Sequence, residues 1–277
     1  MLNVHWWRPP TGGYNLGDEI TTILLSDYFK VEHQKASLTD AQLISTGSIL
    51  GFAGKQKILD GITQLNVVGS GFMTPLILNQ KITNKVKFYS VRGYLSKQVL
   101  LKQSKNILLG DPGLLISRVH ERAPLSSERK VYGLIPHHSK MENSEFKARF
   151  SKFKSLKVID FRTNDLKATI SEMLSCDVIL SEGLHGLILS DALQLPNVWI
   201  NDGPLHAGGN FKFYDYFSSV GRPFTLEILR GQTLNGAVIN KNIFEWKYSQ
   251  LRAVQEQIIT AFGKFFDDVG INYSYLN

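Results

Sequence analysis

"CDVILSEGLHGLILSDALQL", residues 176–195, is the stretch on which the reading of the fold turns. CDVILS (176–181) is a short apolar run of the length of a buried strand. Glu182 and Gly183 interrupt it. From Leu184 to Leu195 the apolar residues return at helical spacing. A strand, a tight turn and a helix in direct succession form the building unit of a parallel α/β layer. His185 falls in the first turn of that helix, where free backbone N–H groups and the helix dipole favour an anion. Taken alone, it could equally be a histidine facing the core.

The unit recurs in both directions. Upstream, LNVHWW (2–7), AQLIS (41–45), LNVVG (65–69), KVKFYSV (85–91) and NILLG (106–110) read as strands. Residues 16–29 and 94–103 read as helices between them, the first with Asp18 and Glu19 in its opening turn. KVYGLIP (130–136), LKVIDF (156–161) and NVWIN (197–201) are further strands around the opening stretch, with helices over 141–153 and 164–174. The segment 117–129, charged and containing Pro124 and two serines, reads as a linker. Residues 244–266 form a long amphipathic helix with Trp246, Leu251, Val254, Ile258 and Phe262 on one face. The expected fold is therefore α/β: two Rossmann-like domains in a GT-B-like architecture, with boundaries at 1–118 and 119–243. Residues 244–277 pack back on the body.

Composition sets the outer limits. The 277 residues are 43% hydrophobic and 20% charged, as in globular proteins, and suit two domains. No apolar run approaches the roughly 18 residues of a membrane span, and the N-terminus lacks the pattern of a signal peptide. These features predict a cytoplasmic protein. Cys176, the only cysteine, reads as a buried structural thiol. The net charge of +7 could attract nucleic acid, an anionic membrane or an anionic small molecule. No nucleic-acid signature is present, so a phosphorylated substrate and peripheral contact with a membrane remain.

In open parallel sheets, ligands gather at the carboxyl ends of strands. The polar residues there are the candidate site. Asn15, Gly17 and Asp18 follow the first strand, Ser48 and Ser70 lie in Gly-Ser turns after the next two, and Arg92 follows the fourth. Arg92 offers a planar fork to a carboxylate or phosphate, or makes a salt bridge. Asp111 in GDPG (110–113) reads as a turn residue. In the second half, His137 and His138 follow a strand, and alternation on extended backbone would let only one face a ligand. A metal site is not expected, because no third ligand stands at the needed spacing. Arg162, then Ser181, Glu182, Gly183, His185 and Gly186, complete that set.

Six motifs occur in one order: Asn15-Leu16-Gly17-Asp18, Val91-Arg92-Gly93, Gly110-Asp111-Pro112, Ile135-Pro136-His137-His138, Ser181 to Gly186, and Lys212 to Tyr216. Together they resemble the polysaccharide pyruvyltransferase family, over roughly residues 3–222. Gly183 departs from the pattern, which often has Arg there; Arg162 or Arg92 could take over its contact. The resemblance implies transfer of a pyruvyl group from phosphoenolpyruvate (PEP) to two hydroxyls of a sugar, giving a cyclic ketal and phosphate. It implies PEP as donor substrate, no cofactor, and a polysaccharide or lipid-linked acceptor. The chemistry needs an acid, a base and anion contacts. His185 is then the candidate acid/base, Asp18 a base and Glu182 an alternative acid. Arg92, His137, His138, Arg162, Ser181, Gly183, Gly186 and Lys212 would contact PEP, and Asn15, Gly17, Ser48 and Ser70 the acceptor. Two other readings compete: a GT-B glycosyltransferase using a nucleotide sugar, and an inactive glycan-binding relative.

Overall fold

The computed structural model describes residues 1–9, 12–76, 84–100, 106–120, 130–202, 208–224, 231, 233–246 and 248–275. Two parallel sheets organise the described chain. The first holds β1 (Leu2–His5), β2 (His33–Lys35), β3 (Leu43–Ile44), β4 (Leu65–Val68), β5 (Val86–Val91) and β6 (Leu108–Leu109), in the order β2-β1-β3-β4-β5-β6. The second holds β7 (Tyr132–Ile135), β8 (Leu156–Val158), β9 (Val178–Ser181) and β10 (Asn197–Trp199), in the order β10-β9-β7-β8. Every pairing between these strands is parallel. Each sheet reverses its direction of growth beside its first strand, between β1 and β3 and between β7 and β9. Crevices open at such reversals.

The mixed α/β class expected from the sequence is observed, and the strands are shorter than their apolar runs. α1 (Leu16–Ile23) ends earlier than the 16–29 pattern suggests, because the chain widens into a π-helical turn over Leu24–Tyr28. α3 (Tyr94–Val99) covers the start of the 94–103 helix, whose residues 101–103 lie outside the described residues, as do 121–129 of the 117–129 linker. The 141–153 helix contracts to α4 (Ser144–Ala148), begun by the Asn143 side chain accepting from the Phe146 N–H. α5 (Leu166–Leu174) and α6 (Leu184–Ala192) follow their patterns. Four elements carry too little periodicity to read in advance: the polar edge strand β2, α2 (Gln56–Gly61), α7 (Phe211–Val220) and α8 (Gly236–Asn242).

Three apolar cores result. One lies within the first half around Phe52, Val67 and Leu109, and one within the second around Leu134, Phe150 and Ile200. The third joins the halves, bringing Val4, Leu16, Ile135, Leu187 and Phe217 into one cluster. α9 (Tyr248–Val269) seals it, packing on β4, β5, β6, the 3-10 segment Pro112–Arg118 and α7. Its expected face is buried: Leu251, Val254, Ile258 and Phe262, with Trp246 just before the helix. Cys176 is a buried free thiol, as read.

A buried ion pair also links the halves. Arg92, at the end of β5, is 0% exposed, and its Nε donates to Asp215 Oδ2 of α7 at 2.9 Å. Asp215 further accepts from the backbone N–H and hydroxyl of Ser96. Removing one member of a buried pair strands the other charge. Asp215→Ala is therefore expected to lower stability by about 3–5 kcal/mol, read as a shift in the denaturant midpoint.

Candidate active site

The first crevice is built by glycine. Gly17 opens α1, and a Cβ at that position would stand 1.7 Å from the His185 Nδ1. The missing side chain is what lets the imidazole of α6 lie against the first turn of α1, so the two motifs NLGD and LHG meet. Asp18, the next residue, turns its carboxylate over Gly47, at the end of β3; a Cβ there would lie 2.5 Å from Oδ1. Lys212, in the first turn of α7, makes no hydrogen bond or ion pair among the described residues, and its Nζ lies 5.3 Å from the Phe213 ring centre. Three helices, α1, α6 and α7, thus present a carboxyl, an imidazole and an amine to one interior region.

Their proton affinities are pushed apart. Burial, offset in part by the Lys212 charge, raises Asp18 from 3.8 to about 8. Burial and the charges of Lys212 and Arg92 lower His185 from 6.5 to about 3, and its Nε2 is buried without a partner among the described residues. Burial and Arg92 lower Lys212 to about 8, against the pull of Asp18. Asp18 therefore carries a proton at neutral pH and His185 does not. Such opposed pairs are the mark of acid/base sites.

The other expected residues divide. Arg92 does not stand open as a fork: besides Asp215, its guanidinium donates to Ser48 Oγ and to the Phe72 carbonyl. Ser48 is thereby committed to Arg92. Ser70 is fully buried and donates to the Gly47 carbonyl, tying the two Gly-Ser turns together. Asn15 caps α1 through its backbone alone, and its side-chain amide makes no hydrogen bond among the described residues. Ser181 donates to the Gly183 carbonyl and fills the space a Cβ on Gly186 would need. A Cβ on Gly183 would meet only Ser181 Oγ, at 3.9 Å, so the position has room for a side chain.

Glu182 is 0% exposed and accepts from the His137 N–H at 3.0 Å and Lys140 Nζ at 2.7 Å. Lys140 also reaches Asp202, which holds Arg149. Burial raises Glu182 while these bonds oppose the shift. It fixes the turn after β7 more directly than it faces the cluster. The rings of His137 and His138 lie 4.0 Å apart instead of on opposite sides, because the chain leaves extended geometry at a 3-10 turn, His138–Lys140. Burial, Lys212 and the more distant Arg162 lower His138. Arg162 itself is exposed and bound to Asp160 and Glu142, away from the cluster.

Two residues gain importance that their motifs alone did not convey. Asp215 anchors Arg92, and its position one helical turn after Lys212 was the available signal. Asp111 caps the 3-10 segment through Gly113, as a turn residue should, but its Oδ2 is buried without a partner among the described residues. Burial raises Asp111 to about 6.

The family profile for polysaccharide pyruvyl transferase matches residues 15–204, which include the α1 and α6 motifs. The chain is 26% identical over 223 residues to the succinoglycan biosynthesis protein ExoV of Rhizobium meliloti, covering 79% of this chain and 65% of that protein. It is 34% identical over 126 residues to the uncharacterized protein L143 of Acanthamoeba polyphaga mimivirus, covering 45% of this chain and 44% of that one. The chain thus spans about half to two thirds of the length of these relatives. A solved structure of the wall teichoic acid polymerase TagF aligns over 96% of this chain and 84% of its own, at 12% identity and a TM-score of 0.39.

Two outcomes follow from the geometry. Gly17→Ala must displace the His185 ring or α1, so the imidazole should titrate closer to its ordinary value, measured by NMR of the ring protons. For Asp18, the folded pKa lies above the unfolded one, so its contribution to stability is present below about 4 and lost as pH rises through about 8. Wild-type protein should therefore lose stability relative to Asp18→Asn between pH 5 and 8, in paired denaturant titrations.

Proposed function

The chain belongs to the polysaccharide pyruvyl transferase family, and on that premise we propose that it moves a pyruvyl group from PEP onto two hydroxyls of one sugar, closing a cyclic ketal and releasing phosphate. The observation that carries the reading is the opposed protonation of Asp18 and His185 beside the Lys212 amine, which has no hydrogen bond or ion pair among the described residues. The enol ether of PEP becomes electrophilic once its methylene carbon gains a proton. Asp18, protonated at neutral pH, is the acid for that step. The resulting cationic C2 takes a sugar oxygen, and neutral His185 takes that hydroxyl's proton. The C2–O bond to phosphate then breaks, the second hydroxyl adds, and its proton leaves with phosphate. One proton enters the methyl group, one goes to phosphate, and two come from the sugar.

Lys212 and the uncapped N-terminus of α6 suit the phosphate and carboxylate of PEP. Arg92 supports this site from behind, through its charge and its bonds to Ser48 and Asp215. We read the two sheets as Rossmann-like layers in a GT-B-like arrangement, with 1–118 on the acceptor side, 119–243 on the PEP side and 244–277 crossing back. The acceptor would be a polysaccharide or its lipid-linked precursor. Membrane contact would be peripheral: among the described residues no helix is long and apolar enough to cross a bilayer.

His185→Ala should cut PEP-dependent phosphate release by about 10²–10⁴-fold, the usual worth of a positioned acid or base. A loss below tenfold would remove His185 from the chemistry. kcat/KM for PEP should fall above about pH 8, as Asp18 of the free protein loses its proton. Stabilisation by a nucleotide sugar, and not by PEP, in a thermal-shift comparison would favour the glycosyltransferase reading instead.

A further inference from the structure

A cavity of about 350 Å³ lies outside the titratable cluster, on the other side of α1. Its walls come from the ends of β1 and β2, the outer face of α1, and Asn164 of the second half. The volume falls within the about 300–1,000 Å³ of small-molecule sites. α1 separates this cavity from the cluster by one residue step: Asp18 faces Gly47, and Glu19 faces the cavity, bound to Arg8.

The lining chemistry is mixed in a particular way. Arg8 is bonded to Glu19 through Nε and NH2, so its charge is largely answered. Lys35 makes no hydrogen bond among the described residues, and its Nζ lies 5.2 Å from the Trp6 ring centre. Gln34 donates to Asn3, which leaves its amide oxygen as an acceptor. His33 Nδ1 lies 3.1 Å from the Val31 carbonyl; donating there, it leaves Nε2 as an acceptor. Asn164 adds a further amide.

An apolar ligand would find little beyond Trp6 and Ile23. A phosphate would meet the Glu19 carboxylate beside a single uncommitted cation. A ring bearing several hydroxyls uses what is present: amide and imidazole acceptors, an ammonium donor, and the planar Arg8–Glu19 pair. We propose that this cavity binds a sugar unit of the acceptor glycan, flanking the unit that reacts. Tyr14, 37% exposed, precedes Asn15 at the head of α1, and its ring centre lies 5.0 Å from the guanidinium carbon of Arg8, a residue of the cavity wall. The inference rests on the glycan acceptor proposed above; the site itself is read from the lining residues.

The test is a Gln34→Ala, Lys35→Ala double variant, both residues on the exposed edge strand β2. Wild type and variant, each with a wild-type melting curve, are applied to a microarray of bacterial oligosaccharides, and bound glycans are then titrated in solution. Binding that weakens about tenfold or more in the variant supports the cavity, since two hydrogen-bonding side chains are lost. Equal binding by both proteins, or no glycan bound by wild type, overturns it. Inorganic pyrophosphate bound by wild type and lost in the variant, with glycan binding unchanged, would make the cavity an anion site and also overturn it. If the variant fails to fold, Asn164→Ala replaces it under the same criteria. Phosphate release from PEP by wild type is measured separately, so failure of the pyruvyl reading and failure of the cavity are distinguishable.

Discussion

One buried cation organises the junction of the two halves. Arg92 has no exposed surface, so its charge can persist there only with partners, and Asp215, Ser48 and the Phe72 carbonyl supply them. Those bonds fix α7 against the end of β5 and hold the turn after β3. The same charge acts further, by Coulomb repulsion in a low-dielectric interior, on Lys212 and His185. Arg92 therefore does two things at once: it sets where α7 stands, and it disfavours a second and third positive charge beside it. Burial first, then the charges of Lys212 and Arg92, keep the imidazole at the start of α6 neutral.

That junction closes because glycine removes side chains where backbones must approach. Gly93 would drive a Cβ into the Asp215 carbonyl at 1.7 Å, and Gly17 into the His185 ring at the same distance. Both contacts join the first half to the second. The glycines of VRG and NLGD are thus required by packing across the halves more than by the turns in which they sit. A Cβ at either position would cost either the Arg92 pair or the placement of the imidazole.

Much of the fold was legible, because buried parallel strands are short apolar runs, α9 carries strong periodicity, and α6 is a long apolar segment that directly follows a strand and a glycine turn. β2 escaped notice because an edge strand, polar and paired on one side only, has no such run. α7 was hidden for a different reason: it carries Lys212 and Asp215 on one side and Phe213, Tyr216 and Phe217 on the buried side, so its polar face is as buried as its apolar one. In the site, position relative to strand ends singled out His185, Asp18 and Gly17, and the Lys212–Tyr216 motif of the family resemblance added Lys212. It could not distinguish Arg92, which looks inward to Asp215, from an arginine open to a ligand, nor Arg162, which a nearby Asp160 and Glu142 hold at the surface. For Arg92 the deciding partner is 123 residues away, and for Arg162 it is Asp160 two residues before it with Glu142 twenty before; residue type at a strand end reveals neither pairing.

The opposed protonation of the cluster also bears on how a substrate would change it. A ring whose conjugate acid titrates near 3 is a weak base at neutral pH. Two of the three causes of that low value are the positive charges of Lys212 and Arg92. A bound trianion such as PEP, seated against Lys212, would offset them and raise the proton affinity of His185 toward the working pH. The same anion would raise Asp18 further and keep its proton in place until a carbon takes it. On the proposed chemistry, the donor's own charge brings the base into range, while the acid keeps its proton until the carbon takes it. The demand for an anion before the imidazole can act gives a physical reason for a lysine beside it that no carboxylate holds in a hydrogen bond among the described residues: a permanent salt bridge there would offset the Lys212 charge without substrate and remove the dependence on the donor.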